Sequence, residues 1–299
     1  RSALSVPENG DYDAGDMIGE ARKRLGEIEI DEDGTYRFSG ITLDGYNLTG
    51  TELRTFKENL HEAYKKLLVI ATGYACMDKE DDEAKRMKEV ILGGINYLLP
   101  YYSQKWDYSE DSKQNWTLSQ FSLPITCSNL LCLMYEDMDT VEGRRLRNQT
   151  CDQIFDKAPI PNLRTAGKQN QSETYTNRLW KCFSYFNTAV IAGDDYRMNY
   201  AMKYATAAFL YSPRNTGFEE LQYNKDGFYE DGSMVFHGSV PYNMGYGVSY
   251  SVLIYEFLML TSDTKFDIRG IYGFDNVYDF CLKNFLPFLT NGMMNKMVV

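Results

Sequence analysis

The chain has 299 residues, enough for one large domain or two small ones, and 43% hydrophobic with 24% charged residues is an ordinary balance for a globular protein. A formal net charge of −11 argues against nucleic acid as the main partner. No run of about 18 apolar residues occurs, so no membrane span is expected, and the opening Arg1-Ser2-Ala3-Leu4-Ser5 lacks an apolar signal core.

Residues 1–18 are polar and rich in Gly and Asp, and read as a loose lead-in. Residues 19–51 are mixed, with Ile28–Ile30 and Thr35–Phe38 as short strands or extended loop. Together, residues 1–50 form a lead-in ahead of a helical domain over 51–299. From Thr51, helical spacing takes over. Leu53, Phe56, Leu60, Ala63 and Leu67 recur three and four apart, predicting a helix to about Ala75. His61 falls beside that stripe, as a surface or edge residue. A second helix, opening in Asp78–Asp82 and running to about Tyr101, turns Val90, Ile91, Ile95, Leu98 and Leu99 inward. Further helices are predicted over 126–138, 141–155, 174–192, 194–211, 247–262 and 274–289. A Pro/Gly/Gln/Asn-rich loop over 156–173 and a long loop over 212–245 interrupt them, with little strand signal beyond residue 50. No fixed-period repeat appears. Helix following helix through loops predicts an all-α protein of antiparallel hairpins.

Six cysteines, Cys76, Cys127, Cys132, Cys151, Cys182 and Cys281, lack zinc spacing, and only two histidines occur. No metal and no cofactor is expected. Most of these thiols sit in apolar helical context and read as buried. Cys127 and Cys132, five apart on one helix, suit a disulfide poorly. Sequons stand at Asn47, Asn115, Asn148 and Asn170, a number composition alone accounts for.

The most unusual stretch is 226–247, from Asp226-Gly227-Phe228-Tyr229-Glu230-Asp231-Gly232-Ser233 through His237 to Tyr242 and Tyr246. Its five glycines forbid a regular helix. Helical spacing resumes at Val248, with Val252, Tyr255, Leu258 and Met259 on one face. His237 and Tyr246 therefore lie on irregular backbone leading into a helix, where reactive side chains are often presented. Alternatively, the stretch is a turn-rich connector whose aromatics pack into the core.

This segment resembles the signature of polysaccharide lyase family 8, the hyaluronate, chondroitin AC and xanthan lyases. There, an Asp-Gly-Phe/Tyr-x-x-Asp-Gly-Ser segment runs into a catalytic histidine and, nine residues later, a catalytic tyrosine, the spacing of His237 and Tyr246. Asn115, Trp116 and Pro124 match an Asn-Trp-Trp-x-x-Glu-Ile-Gly-x-Pro motif that lays an aromatic platform along the sugar cleft. Thr117, Gln120 and Ser122 depart from it. Trp116 could instead be a core aromatic at a helix start. Thr174-Tyr175-Thr176-Asn177-Arg178 resembles the Thr-Gly-Ala-Asn-Arg motif carrying the family's catalytic asparagine. Asn187 rivals Asn177, but in mid-helix it reads as a packing residue, and extra residues in the loop over 212–225 absorb the longer interval.

The resemblance implies an incomplete α/α toroid that cleaves a uronate-containing acidic polysaccharide by β-elimination. Asn177 would neutralise the uronate carboxylate, His237 and Tyr246 would do the acid–base work, and Trp116, Asn115 and Arg178 would bind substrate. An acidic body needs a local basic cleft for such a polymer. Arg144, Arg145, Arg147, Arg164, Lys168 and Arg178 are candidates, although Arg144–Arg147 also fit a solvated helix face. The family places an Arg-rich motif and β-sandwich domains after the tyrosine. Residues 290–299 look like the lead-in to that motif, so this chain reads as a truncated piece, inactive or nearly so alone, whose partner is the downstream β-sandwich half. A secreted or extracellular protein is expected. A catalytically impaired glycan-binding relative is the alternative. An inverting glycosidase would need a carboxylate pair, and Glu230 with Asp231 read better as turn residues.

Overall fold

The computed structural model describes residues 13–45, 47–106, 116–161, 163–166, 169–212, 226–237, 240–286, 289–290 and 293–294. Nine α-helices account for most of them: α1 Ala14–Leu25, α2 Gly50–Ala75, α3 Asp82–Tyr102, α4 Leu123–Leu133, α5 Val141–Lys157, α6 Tyr175–Ala192, α7 Asp195–Thr206, α8 Val248–Thr261 and α9 Phe274–Asn284. The chain divides into two compact units. The first comprises Arg1–Ile160, Arg164–Gln171 and Asn187–Asp195; the second comprises Pro161–Leu163, Ser172–Phe186 and Tyr196–Val299.

The first unit is built on α2 and α3. The stripe Leu53, Phe56, Leu60, Ala63 and Leu67 is buried throughout, as are Val90, Ile91, Ile95 and Leu98. Asp81 caps α3 by accepting from the Glu83 amide at 2.8 Å. Residues 14–18 are not a loose lead-in. They open α1, where Asp13 accepts from the Gly15 amide at 3.1 Å and Arg22, Lys23 and Arg24 crowd the last turn. α1 packs closely on α2 because Gly73 has no side chain: a Cβ there would stand 2.3 Å from that of Ala21. The expected strands form a hairpin, β1 Ile28–Ile30 with β2 Tyr36–Phe38, paired Ile28↔Phe38 and Ile30↔Tyr36. Tyr36 stacks on Tyr97 of α3 with ring centroids 5.5 Å apart.

Beyond residue 50 the chain has more strand than its periodicity suggested. β3 Leu163–Ala166 and β4 Gln169–Ser172 form a hairpin in the segment read as loop. β5 Gly227–Phe228, β6 Met234–Phe236 and β7 Val240–Pro241 form a three-stranded antiparallel sheet, and β8 Leu289–Thr290 pairs with β9 Met293–Met294. Strands of two to four residues are too short to show an alternating pattern.

In the second unit Phe228 of β5 is fully buried at the centre of an aromatic cluster. Its ring meets Tyr175 at 5.7 Å, Tyr211 at 5.2 Å, Tyr250 at 5.5 Å and Phe280 at 5.2 Å. These contacts join α6, β5, α8 and α9. Helix α8 is where expected but buries another face. Tyr250, Leu253, Ile254 and Phe257 face inward, whereas Val252 is 50% and Tyr255 53% exposed. The helix is apolar nearly all round, so spacing alone could not choose its face.

Candidate functional site

Three candidate residues, Asn177, His237 and Tyr246, lie in the second unit. Asp231 and Glu230 make the turn between β5 and β6: Asp231 Oδ1 accepts from the Ser233 amide and hydroxyl at 3.1 and 2.7 Å. Asp226 precedes β5, which begins at Gly227. Gly227 is required there. Its φ is 129°, and a Cβ would stand 2.1 Å from the Tyr175 ring. Tyr175 carries strain of its own, at φ 36°, and burial pushes its phenol up to about 12. Thr174, whose carbonyl accepts from the Arg178 amide, ties the start of α6 to the sheet by donating to Asp226 Oδ2 at 3.3 Å.

His237 follows β6 directly. Phe236 pairs with Val240, and His237, next in the chain, is in left-handed conformation at φ 54°. Such backbone is strained for a non-glycine residue and is characteristic of functional sites. Its imidazole is exposed.

Tyr246 lies on a π-helical turn, Asn243–Gly247, that runs straight into α8. Turns of this kind widen the backbone and recur at functional sites. Bonds to the sheet and to α6 hold this one. Asn243 Oδ1 accepts from the Met234 amide at 3.0 Å, and the Tyr246 carbonyl accepts from Thr176 Oγ1 at 3.0 Å. The second bond fastens Tyr246 to the first turn of α6, next to Asn177. Rings enclose the phenol. Phe236 stacks face to face at 3.8 Å and 4°; His237 and Tyr242 stand edge-on at 5.7 and 5.2 Å; Trp180 lies at 6.3 Å and 55°.

The structure thus brings His237, Tyr246 and the helix turn of Asn177 together. Asn177 and Arg178 are both half-buried, and Arg178 Nε donates to the Glu173 carbonyl at 3.0 Å. Phe236, Trp180 and Thr176 had no part in the sequence-derived site. Only their places beside His237 and Asn177 could have drawn attention to them. Asn187 is buried, and its Nδ2 donates to Asn129 Oδ1 at 3.3 Å, as a packing residue would.

Trp116 belongs to the first unit. It is half-buried, its ring edge-on to Phe121 at 4.9 Å, and it precedes a second π-helical turn, Leu118–Ser122. Gln120, at the position of the family's acid, is fully buried in that turn. Asn115 lies outside the described residues. Of the basic candidates, Arg144 pairs with Asp139 at 2.7 Å, Arg145 donates to Gln149 at 2.9 Å, and Arg147 lies 4.5 Å over the Tyr135 ring. These three make contacts within α5 and with the residues just before it. Lys168 and the Arg164 side chain lie outside the described residues. Among the described residues no group of His, Cys, Asp or Glu is placed to hold a metal, no helix is long and apolar enough to cross a membrane, and the six cysteines form no disulfide.

Helical hairpins presenting a histidine–tyrosine pair on a strained loop, with an asparagine on the adjoining helix, define a helical domain of the polysaccharide lyase type. The model of "Polysaccharide lyase family 8, N terminal alpha-helical domain" matches residues 20–299, and the chain belongs to that family. It has the family's α/α-toroid fold. It is 25% identical over 241 residues to a xanthan lyase of a Bacillus species, covering 81% of this chain and 23% of that protein. It is 22% identical over 252 residues to a hyaluronate lyase of Enterococcus faecalis, covering 79% and 23%. Among solved structures, a Paenibacillus xanthan lyase superimposes with a TM-score of 0.73 at 18% identity, covering 95% of this chain and 24% of that one. A Streptomyces coelicolor chondroitin AC lyase in complex with chondroitin sulphate gives 0.72 at 18% identity, covering 98% and 35%. The chain therefore spans about a quarter of the length of the relatives it matches in sequence.

Proposed function

We propose that this chain is the helical catalytic part of a lyase that cleaves a uronate-containing polysaccharide by β-elimination. The observation that carries it is the His237–Tyr246 pair, with rings 5.7 Å apart, fastened through Thr176 to the turn bearing Asn177. The C5 proton of a uronate is too weak an acid to leave unaided. The Asn177 amide donates to the carboxylate, so charge can build there as an enolate. Tyr246 and His237 supply the base that takes the C5 proton and the acid that protonates O4 as its bond to C4 breaks. A C4=C5 double bond forms, with no water consumed. Arg178, Trp116 and Asn115 bind the polymer. Xanthan, hyaluronan and chondroitin are the candidate substrates, from the names of the relatives. A polymer too large to enter a cell implies action outside it, and the length of the relatives supports a further β-sandwich portion completing the site.

A second reading, a glycan-binding relative with impaired catalysis, draws on Thr117 and the buried Gln120. The test is to incubate the whole protein, and its Tyr246→Phe and Asn177→Ala variants, with the three polymers and follow ultraviolet absorbance of the unsaturated product. The lyase reading expects absorbance to rise with one polymer and to fall at least about 10²-fold in rate in either variant. No rise with any uronate polymer would leave the binding reading.

A further inference from the structure

Of the rings around Tyr246, Trp180 has no part in the chemistry above. It lies three residues after Asn177 on α6, so both side chains leave the same strip of the helix. Its indole is 6.3 Å from the Tyr246 ring. Exposure separates it from the packing aromatics. Phe236, which covers one face of Tyr246, is 1% exposed, and Phe183, the next aromatic along α6, is 2% exposed. Trp180 is only half-buried. A large apolar ring left partly open beside a reactive tyrosine, on the strip that carries the carboxylate-binding amide, is placed to meet what those two groups hold.

Resting on the lyase reading, we propose that Trp180 is a sugar-stacking residue, its indole receiving the C–H face of the pyranose next to the uronate held by Asn177 and Tyr246. Stacking of this kind needs no positive charge, which suits binding of a polyanion by a protein of net charge −11.

The experiment pairs kinetics with binding, using the whole protein and its Trp180→Phe and Trp180→Ala variants. On whichever of hyaluronan, chondroitin or xanthan is cleaved, Trp180→Ala should raise KM about five- to tenfold with kcat within about threefold, and Trp180→Phe should recover part of the loss. In parallel, hyaluronan and chondroitin tetrasaccharides are titrated against tryptophan fluorescence. The titration uses the Trp116→Phe protein, because Trp106 is 7% exposed and Trp116 is itself a binding residue. The expected result is a saturable change that adding Trp180→Phe abolishes. Loss of kcat at constant KM, or a fluorescence change that survives in the Trp116→Phe, Trp180→Phe double variant, overturns the proposal. If no polymer is cleaved yet the Trp180-dependent change remains, the lyase reading fails and the stacking assignment stands. If neither occurs, both fall.

Discussion

Replacing Gly227 by alanine probes the junction that joins the sheet to α6. Two costs combine. At φ 129° an L-residue is strained, by about 1–3 kcal/mol for such backbone. The new Cβ would also stand 2.1, 2.3 and 2.6 Å from three atoms of the Tyr175 ring. That ring packs against Phe228 and cannot swing freely, so overpacking adds about 1–3 kcal/mol. A loss of about 3–4 kcal/mol in unfolding free energy is expected, read from urea denaturation followed by circular dichroism. Displacing Tyr175 also moves Thr176 and Asn177, and a misplacement of about 1 Å can cost about 10²-fold in rate. Gly19→Ala is the control: it lies inside α1 with nothing within 4 Å of its would-be Cβ, and should stabilise by about 0.5–1 kcal/mol. Tyr175→Leu combined with Gly227→Ala should cost less than the sum of the two, because the clash partner shrinks. Gly227→Ala within about 1 kcal/mol of the parent protein, at undiminished activity, would refute the reasoning.

Phe236→Leu keeps apolar volume but removes the ring stacked on Tyr246. It should cost about 1–2 kcal/mol in stability and lower kcat more than it raises KM, and the reverse kinetic pattern would contradict a positioning role. Trp116→Ala should raise KM several-fold with a smaller effect on kcat; a large kcat loss at constant KM would contradict a binding role. His61, expected as a surface or edge residue, lies at the edge of the stripe. It is half-buried with Nε2 3.0 Å from Thr126 Oγ1, and burial, reinforced by Lys65, lowers its pKa from 6.5 to about 4. Unfolding restores the stronger base, so stability present above about pH 6.5 is lost as pH falls toward 4. The loss is at most about 3 kcal/mol, and about 1–2 after allowing for solvent access. His61→Gln should flatten the stability–pH slope across that window, and an unchanged slope would assign it elsewhere.

The amphipathic helices were legible because their stripes are one-sided. Leu53 to Leu67 and Val90 to Leu98 are buried as their spacing requires. Helix α8 was legible as a helix but not in its face, since apolar residues surround it. The short strands were invisible, since β5 and β7 have two residues each. Helix α1 was overlooked because its sequence is polar, though Asp13 and the basic last turn mark its ends. At the site, the glycines and the nine-residue interval pointed to His237 and Tyr246. Phe236 and Trp180 become neighbours of Tyr246 only through folding, by a hairpin and by a helix distant in the chain, and no local pattern announces that.

The central claim is the bond-breaking step, and the products test it most directly. The whole protein is incubated with hyaluronan, chondroitin and xanthan, and the oligosaccharides released are weighed by mass spectrometry and examined by proton NMR. β-Elimination consumes no water, so the new non-reducing ends must carry a C4=C5 double bond and the fragment masses must sum to that of the parent polymer. Fragments heavier in sum by one water per cut, with saturated ends, would mean hydrolysis and would contradict the roles given to Asn177, His237 and Tyr246.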